Sequence, residues 1–184
     1  MVMRALTGRD DPPEEACVPF DARRDGIVIG EGAGVLVIEE YEHAKARGAR
    51  MYAELVGYGN NCDAYHLTAP SPGGVGASRC MDMALRGARL APDDVDYINA
   101  HGTSTPVGDI IEVEAIREVF GAHRPRISST KSLTGHSQGA TGAHEAIYSL
   151  LMLENDFIAA SANVEELDPG AADAEIVTER IDAA

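Results

Sequence analysis

Two short stretches concentrate the side chains able to do chemistry. The first runs His101-Gly102-Thr103-Ser104-Thr105-Pro106-Val107-Gly108-Asp109. Here a histidine leaves an apolar segment, Asp96 to Ala100, and enters a turn with three hydroxyls. Thr103 and Thr105 suit contact with an extended polar ligand, and equally suit capping of the helix that follows. Asp109 suits the positive end of that helix's dipole. His101 reads either as a working imidazole or as one satisfied inside its turn. The second stretch runs Ser128-Ser129-Thr130-Lys131-Ser132-Leu133-Thr134-Gly135-His136-Ser137-Gln138-Gly139-Ala140. Lys131 follows an apolar strand, where a charge needs a partner or a shifted pKa. It is also rare: only Lys45 and Lys131 are lysines among the 15 basic residues. Glu145, inside the next helix, is its natural partner or else a solvent-facing carboxylate. His136 stands at the entrance of that helix.

Two rival chemistries attach to the same stretches. Gly135-His136-Ser137-Gln138-Gly139 satisfies G-x-S-x-G, the nucleophile elbow of serine hydrolases, and lies between a strand and a helix as that motif requires. The base in such enzymes follows the serine, and His144, on the same helix, cannot swing back to Ser137. His101, Asp109 and His136 carry no i, i+4 histidine pair or cysteine pair, so no metal site is expected.

These residues need a scaffold, and the chain reads as one. It has 184 residues, 45% hydrophobic and 24% charged, enough for an ordinary domain with a core and too apolar for disorder. No apolar run is long and uncharged enough to cross a membrane, and with Arg4 so early no secretory signal is expected. The net charge of −15 argues against nucleic acid or an anionic membrane as partner. Acids crowd the stretch from Glu154 onward, which reads as a solvated face. Three cysteines, Cys17, Cys62 and Cys80, lack metal-ligand spacing and point to a reducing, cytoplasmic compartment.

Strand and helix alternate along the chain. Residues 10–25 read as a surface loop. Ile27 to Ile29 and Val35 to Ile38 read as buried strands around Gly30-Glu31-Gly32-Ala33-Gly34, which reads as a tight backbone crossing. Glu39 to Arg47 reads as a short polar helix ended by Gly48. Strands are expected at 51–58, 96–100, 126–130, 157–164 and 176–178. Helices are expected at 75–90, 108–120 and 139–153. The class is α/β, with functional residues where strands end.

At both strand ends the sequence resembles the elongating β-ketoacyl-acyl-carrier-protein synthases of type II fatty-acid synthesis. His101 to Asp109 looks like the family's first histidine motif, and Lys131 to His136 like its lysine and second histidine motif. The likeness continues through Phe20 to Gly26, Gly30 to Gly34, Glu39 to Ala44, Asp63 to His66 and Glu145 to Leu151. Gly30 through His66 looks like the type II branch, whereas Pro106 to Asp109 and Ile147 to Asp168 look more like type I.

The resemblance implies a thiolase-like layered fold, a homodimer, an acyl carrier protein as partner, and Claisen condensation without a bound cofactor. The phosphopantetheine arm travels with the substrate. It further implies that His101 and His136 stabilise a thioester oxyanion, that Lys131 pairs with Glu145, and that Thr103 and Thr105 bind the arm. Asp109 belongs to the first motif in a supporting place.

The resemblance also marks departures. The family's nucleophilic cysteine starts a helix among small residues. Cys17 stands in a Pro-rich loop, Cys62 in a polar loop and Cys80 on the apolar side of a helix, so none fits. The chain is therefore expected to hold the end of the N-terminal half, residues 1–48. The C-terminal half, 49–184, follows without its final strand segment, and the nucleophile lies outside. On that expectation the chain alone is inactive and exposes apolar surface. A non-catalytic partner of the same fold, shaping chain length, is the alternative.

Overall fold

The computed structural model describes residues 5–182. Its centre is a strand–helix–strand unit. Strand β1 (Tyr97–Asn99) and strand β2 (Arg126–Ser128) pair in parallel, with Ile98 opposite Ile127 and Asn99 opposite Ser128. Parallel neighbours need a crossover, and the chain between them forms one long helix, Gly108–Phe120. The sheet direction continues beyond β2: Ile127 donates its N–H to Glu175 O and accepts from Val177 N, and Val177 O accepts from Ser161 N.

Five α-helices occur among the described residues. α1 is Tyr41–Ala46, α2 Val75–Ala88, α3 the crossover Gly108–Phe120, α4 Lys131–Thr134 and α5 Thr141–Glu154. A short antiparallel pair, β3 (Phe157–Ile158) and β4 (Ile181–Asp182), closes the chain's course. None of these helices is long and apolar enough to cross a membrane. The core lies between α3 and the sheet: Val113, Ile116 and Phe120 meet Ala100, Ile127, Ala171 and Phe20, with Met81 and Leu85 of α2 against them. This is the 3.6-residue stripe of α3 turned onto a β-branched sheet surface.

Several expectations need correction. Residues 10–25 are not a surface loop throughout. From Ala16 to Asp21 the chain is buried, with Phe20 and Asp21 fully enclosed. Phe20 supplies the apolar weight, and the main-chain N–H of Phe20 finds the Asp109 carboxylate at 3.0 Å. Cys17 is accordingly buried, and burial pushes its thiol up to about 11.

The stretches 35–38 and 51–58 form no ladder. Val35, Val37 and Leu55 are 84%, 82% and 73% exposed. A strand exists only beside a neighbour, and among the described residues neither stretch has one. Residues 27–29 make single bridges on each side, Leu6 to Ile27 and Ile29 to His136, instead of a strand of their own. The expected strand at 157–164 stops at Ile158, and Asn163 turns to a left-handed φ of 66°. Likewise 176–178 contributes only the bridge of Ile176 to Ile127. The four-residue helix α4 was not expected from the sequence pattern.

The crossing at Gly30 to Gly34 is a close backbone approach. A Cβ at Gly30 would stand 2.3 Å from Thr134 O, one at Gly32 2.5 Å from the His144 ring, and one at Gly34 2.9 Å from the Ala143 Cβ. The absence of side chains is what lets this segment lie on the start of α5.

Candidate active site

The two polar stretches converge at one place. The His101 and His136 rings stand edge to face, with centroids 5.3 Å apart and planes at 88°. Each arrives there by a different route.

His101 follows β1 directly. Its own N–H and that of Gly102 donate to the two oxygens of Glu112 on α3, at 2.7 and 2.8 Å. Burial pushes the Glu112 carboxyl upward, against the pull of these two donors. The far end of the same turn is held by Asp109, fully buried, whose oxygens accept from Thr105 N at 3.1 Å and Phe20 N at 3.0 Å. Arg24 stands beside it: Nε donates to Thr105 O, Nη2 to Pro106 O, and Nη1 to Asp21 O and Asp168. Asp21, three residues before Arg24, is desolvated. Even so, Arg23 and the backbone N–H groups of Glu166, Arg23 and Glu165 hold its carboxyl far below the usual range.

Thr105 accepts the Gly108 N–H at 3.2 Å on its hydroxyl and shares a 3.1 Å bond with the Thr103 hydroxyl. Thr105 therefore satisfies the first N–H of α3 from outside the helix, while Thr103 stays buried beside it.

His136 is pinned by its backbone. Its N–H donates to Val28 O at 2.8 Å and its carbonyl accepts from Gly30 N at 3.0 Å. Nδ1 accepts the Gln138 N–H at 3.3 Å and lies 2.9 Å from the Thr141 hydroxyl. A nitrogen that accepts an N–H carries no hydrogen itself, so the neutral ring's hydrogen sits on Nε2.

Lys131 opens α4 and is 1% exposed. Its Nζ is bound to Oε1 of Glu145, reaching in from α5. Burial drives the Glu145 carboxyl upward while Lys131 draws it back. Desolvation by the atoms around its ring, with the positive charge of Lys131 and the neighbouring His136, pushes His101 down to about 4 although the residue keeps an exposed edge; desolvation and Lys131 lower His136. Both imidazoles are thus neutral near pH 7, each able to donate one N–H. An anionic oxygen lodged between them would meet two donors with the Lys131 charge behind them.

Ser137 is not part of a triad: its Oγ makes no hydrogen bond to a histidine among the described residues, and His144 lies against Gly32 and Tyr148 instead. No group of three or more metal-ligating side chains occurs among the described residues. Cys62 is exposed, and Cys80 Sγ donates to Gly59 O at 3.0 Å. The sequence signals missed Glu112, Arg24 and Ser129. Ser129 lies within the second polar stretch and Arg24 within the Phe20 to Gly26 likeness, but neither carried a role there; Glu112 shows only as a carboxylate on α3 one turn past Asp109.

The sheet with helices packed on it, and two histidines and a lysine brought together beyond neighbouring strand ends, define a layered α/β protein with one clustered polar site. Residues 2–44 match the family model for the beta-ketoacyl synthase N-terminal domain and residues 52–165 that for the C-terminal domain. The chain belongs to the β-ketoacyl synthase family, with its thiolase-like fold.

It is 58% identical over 181 residues to 3-oxoacyl-[acyl-carrier-protein] synthase 1 of Escherichia coli strain K12, covering 98% of this chain and 43% of that protein. It is 56% identical over 168 residues to synthase 2 of Staphylococcus aureus, covering 90% and 41%. A beta-ketoacyl synthase from Burkholderia phymatum superposes with a TM-score of 0.92 at 44% identity, over 99% of this chain and 44% of that one. A type II polyketide ketosynthase solved with its acyl-carrier protein superposes at 0.91 with 40% identity, over 98% and 45%. The chain therefore spans about two fifths of the length of the curated relatives it matches.

Proposed function

We propose that this chain supplies the decarboxylation half of a β-ketoacyl-acyl-carrier-protein synthase. This acyltransferase joins an acyl thioester to malonyl-carrier protein in fatty-acid elongation. The observation that carries the reading is the edge-to-face pair of neutral imidazoles, His136 with its hydrogen directed to Nε2. Loss of CO2 from the malonyl group moves the C–C bond electrons onto the thioester, as an enolate. The N–H groups of His101 and His136 hold that oxygen as charge develops on it. The enolate carbon then attacks an acyl thioester on a cysteine outside this chain, and the cysteine thiolate leaves. Cys17 does not fill that role, since a thiol titrating near 11 stays protonated at neutral pH.

Around this step the remaining assignments follow. The Lys131–Glu145 pair fixes the local geometry and charge, and the Lys131 charge adds to desolvation in keeping both imidazoles neutral. Asp109 supports the His101 turn, and Thr103 and Thr105 contact the phosphopantetheine arm of the incoming carrier. No cofactor is held by the protein. An acyl carrier protein is the partner, in keeping with the carrier-bound ketosynthase of similar fold. We further assign residues 1–48 to the N-terminal half and 49–184 to the C-terminal half of a cytoplasmic homodimer. A non-catalytic, chain-length-shaping partner has no use for two histidines and a buried lysine arranged in this way.

The test is decarboxylation of malonyl-carrier protein by the complete protein, with His101→Ala and His136→Ala compared. Loss of one oxyanion donor costs about 10²–10³-fold in rate, and that drop is expected in each. Unchanged rates in both variants overturn the reading.

A further inference from the structure

Both histidine-bearing turns are well tied to their own surroundings, yet few bonds set one against the other. Tyr97 OH meets Ser128 Oγ at 2.7 Å, but this lies within the paired strands and before either turn begins. At the strand ends the Ala100 N–H donates to Ser128 O at 2.9 Å and the Asn99 amide reaches the Thr130 hydroxyl at 3.4 Å; past them, Ser129 joins the two turns. Its hydroxyl donates to the Gly102 carbonyl at 2.7 Å, one residue past His101.

Ser129 is itself immobilised. It is fully buried; its N–H donates to Ser161 Oγ at 2.9 Å, and its carbonyl accepts from Ser132 Oγ at 2.9 Å. Two residues further stands Lys131, and the same loop carries on to His136. On the other side, Gly102 is gripped at its N–H by Glu112, so its carbonyl is the remaining backbone handle on that residue. The approach is tight. Gly102 holds φ at +31°, and a Cβ there would stand 2.7 Å from the Ser129 Cβ and 3.0 Å from Phe20 Cζ.

We propose that Ser129 is a positioning residue: its hydrogen bond to the Gly102 carbonyl sets the His101 ring against the His136 ring for decarboxylation. The inference rests on the condensing-enzyme reading above. Ser129 touches no reacting atom. Without its hydroxyl, the Gly102 carbonyl loses a buried partner and the Gly102–Thr103 peptide, one unit beyond His101, loses its restraint against the second turn. Oxyanion geometry is steeply sensitive to such shifts, about 10²-fold in rate for a displacement near 1 Å.

The experiment compares Ser129→Ala with Tyr97→Phe in the complete protein, using malonyl-carrier-protein decarboxylation and thermal melting together. Tyr97→Phe removes a neighbouring hydroxyl bond of the same length without touching either turn. A serine that merely stabilises would make the two variants alike. The positioning role predicts a fall in kcat of about 10–100-fold for Ser129→Ala, with KM within about twofold, and kcat within about twofold of the parent for Tyr97→Phe. Equal kcat losses in the two variants, or an unchanged kcat in Ser129→Ala, overturn the inference. Should Ser129→Ala not fold, Gly102→Ala presses the same contact apart from the other turn and is held to the same kcat criterion. His101→Ala and His136→Ala separate the two levels. If they slow decarboxylation and Ser129→Ala does not, only the positioning role fails; if they do not, the functional reading fails first.

Discussion

The turn that begins at His101 and the stretch from Val35 to Tyr58 have opposite economies of contact. In the first, almost every polar atom is matched: Glu112 takes two N–H groups, Asp109 two more, and Arg24 spans two carbonyls of the turn. In the second, apolar side chains stand in solvent without a ladder, Val35 and Val37 among the most exposed. Apolar burial is non-directional, so the hydrophobic pattern of residues 35–58 says what they would bury and nothing about against what. Ion-assisted hydrogen bonds are directional and find their geometry within a few residues of chain or one neighbouring loop. The site is therefore the better determined of the two, although it is the more polar.

Breaking the buried ion pair should produce the largest effect. Lys131→Met leaves Glu145 without its cation, and truncating one partner of a buried pair costs about 3–5 kcal/mol. Since Glu145 keeps an edge in water, we expect about 3 kcal/mol from urea unfolding, at the low end of that range. The double variant Lys131→Met/Glu145→Leu should recover most of it. No recovery would mean that Lys131 matters for its packing and not its charge.

A smaller effect is expected from acid. The ordinary histidine value is 6.5, and His101 titrates near 4 in the folded protein. Between those values the unfolded chain takes up a proton that the folded one declines. Stability is thus constant above pH 6.5 with respect to this group and falls as the pH drops towards 4. The urea midpoint should decrease from pH 7.5 to pH 5, less steeply in His101→Gln; identical slopes in parent and variant would contradict the assignment.

The smallest effect should come from the other region. Val37→Thr and Leu55→Thr should each change the stability of this chain by no more than about 0.5 kcal/mol, the usual range for exposed sites. A loss above 2 kcal/mol in either would show that the stretch is buried in solution and would remove the contrast altogether.

How much of this was legible beforehand follows the same division. Helix α3 runs from Gly108 to Phe120 as its spacing indicates, because its apolar stripe, its glycine start and Gly121 after its end all agree. Lys131 stood out by rarity and position, and Glu145 as its candidate partner by helix register. Strand extents were overread at 35–38, 51–58 and 157–164, since a β-rich run acquires strand structure only from a neighbour that local sequence does not contain. Residues 16–21 looked like a surface loop because prolines and acids precede them, yet Phe20 is drawn into the core. Glu112, Arg24 and Ser129 act on segments brought to them by the fold. Arg24 reaches Pro106 across a separation of 82 residues, which no local pattern encodes.

One feature of the crossing at Gly30 bears on how such chains can be recombined. The backbone that holds His136 in place belongs to residues 28–30, within the span matching the N-terminal family domain, while His136 itself lies in the C-terminal one. A chimaera of two relatives joined between these spans, near residue 48, would keep each parent's domain whole and still split the setting of His136 between them. Compatibility at that junction would be decided far from it, by whether the incoming parent keeps bare backbone at positions 30, 32 and 34. A methyl group at position 30 alone would press on the carbonyl of Thr134 and displace the loop that presents the second imidazole.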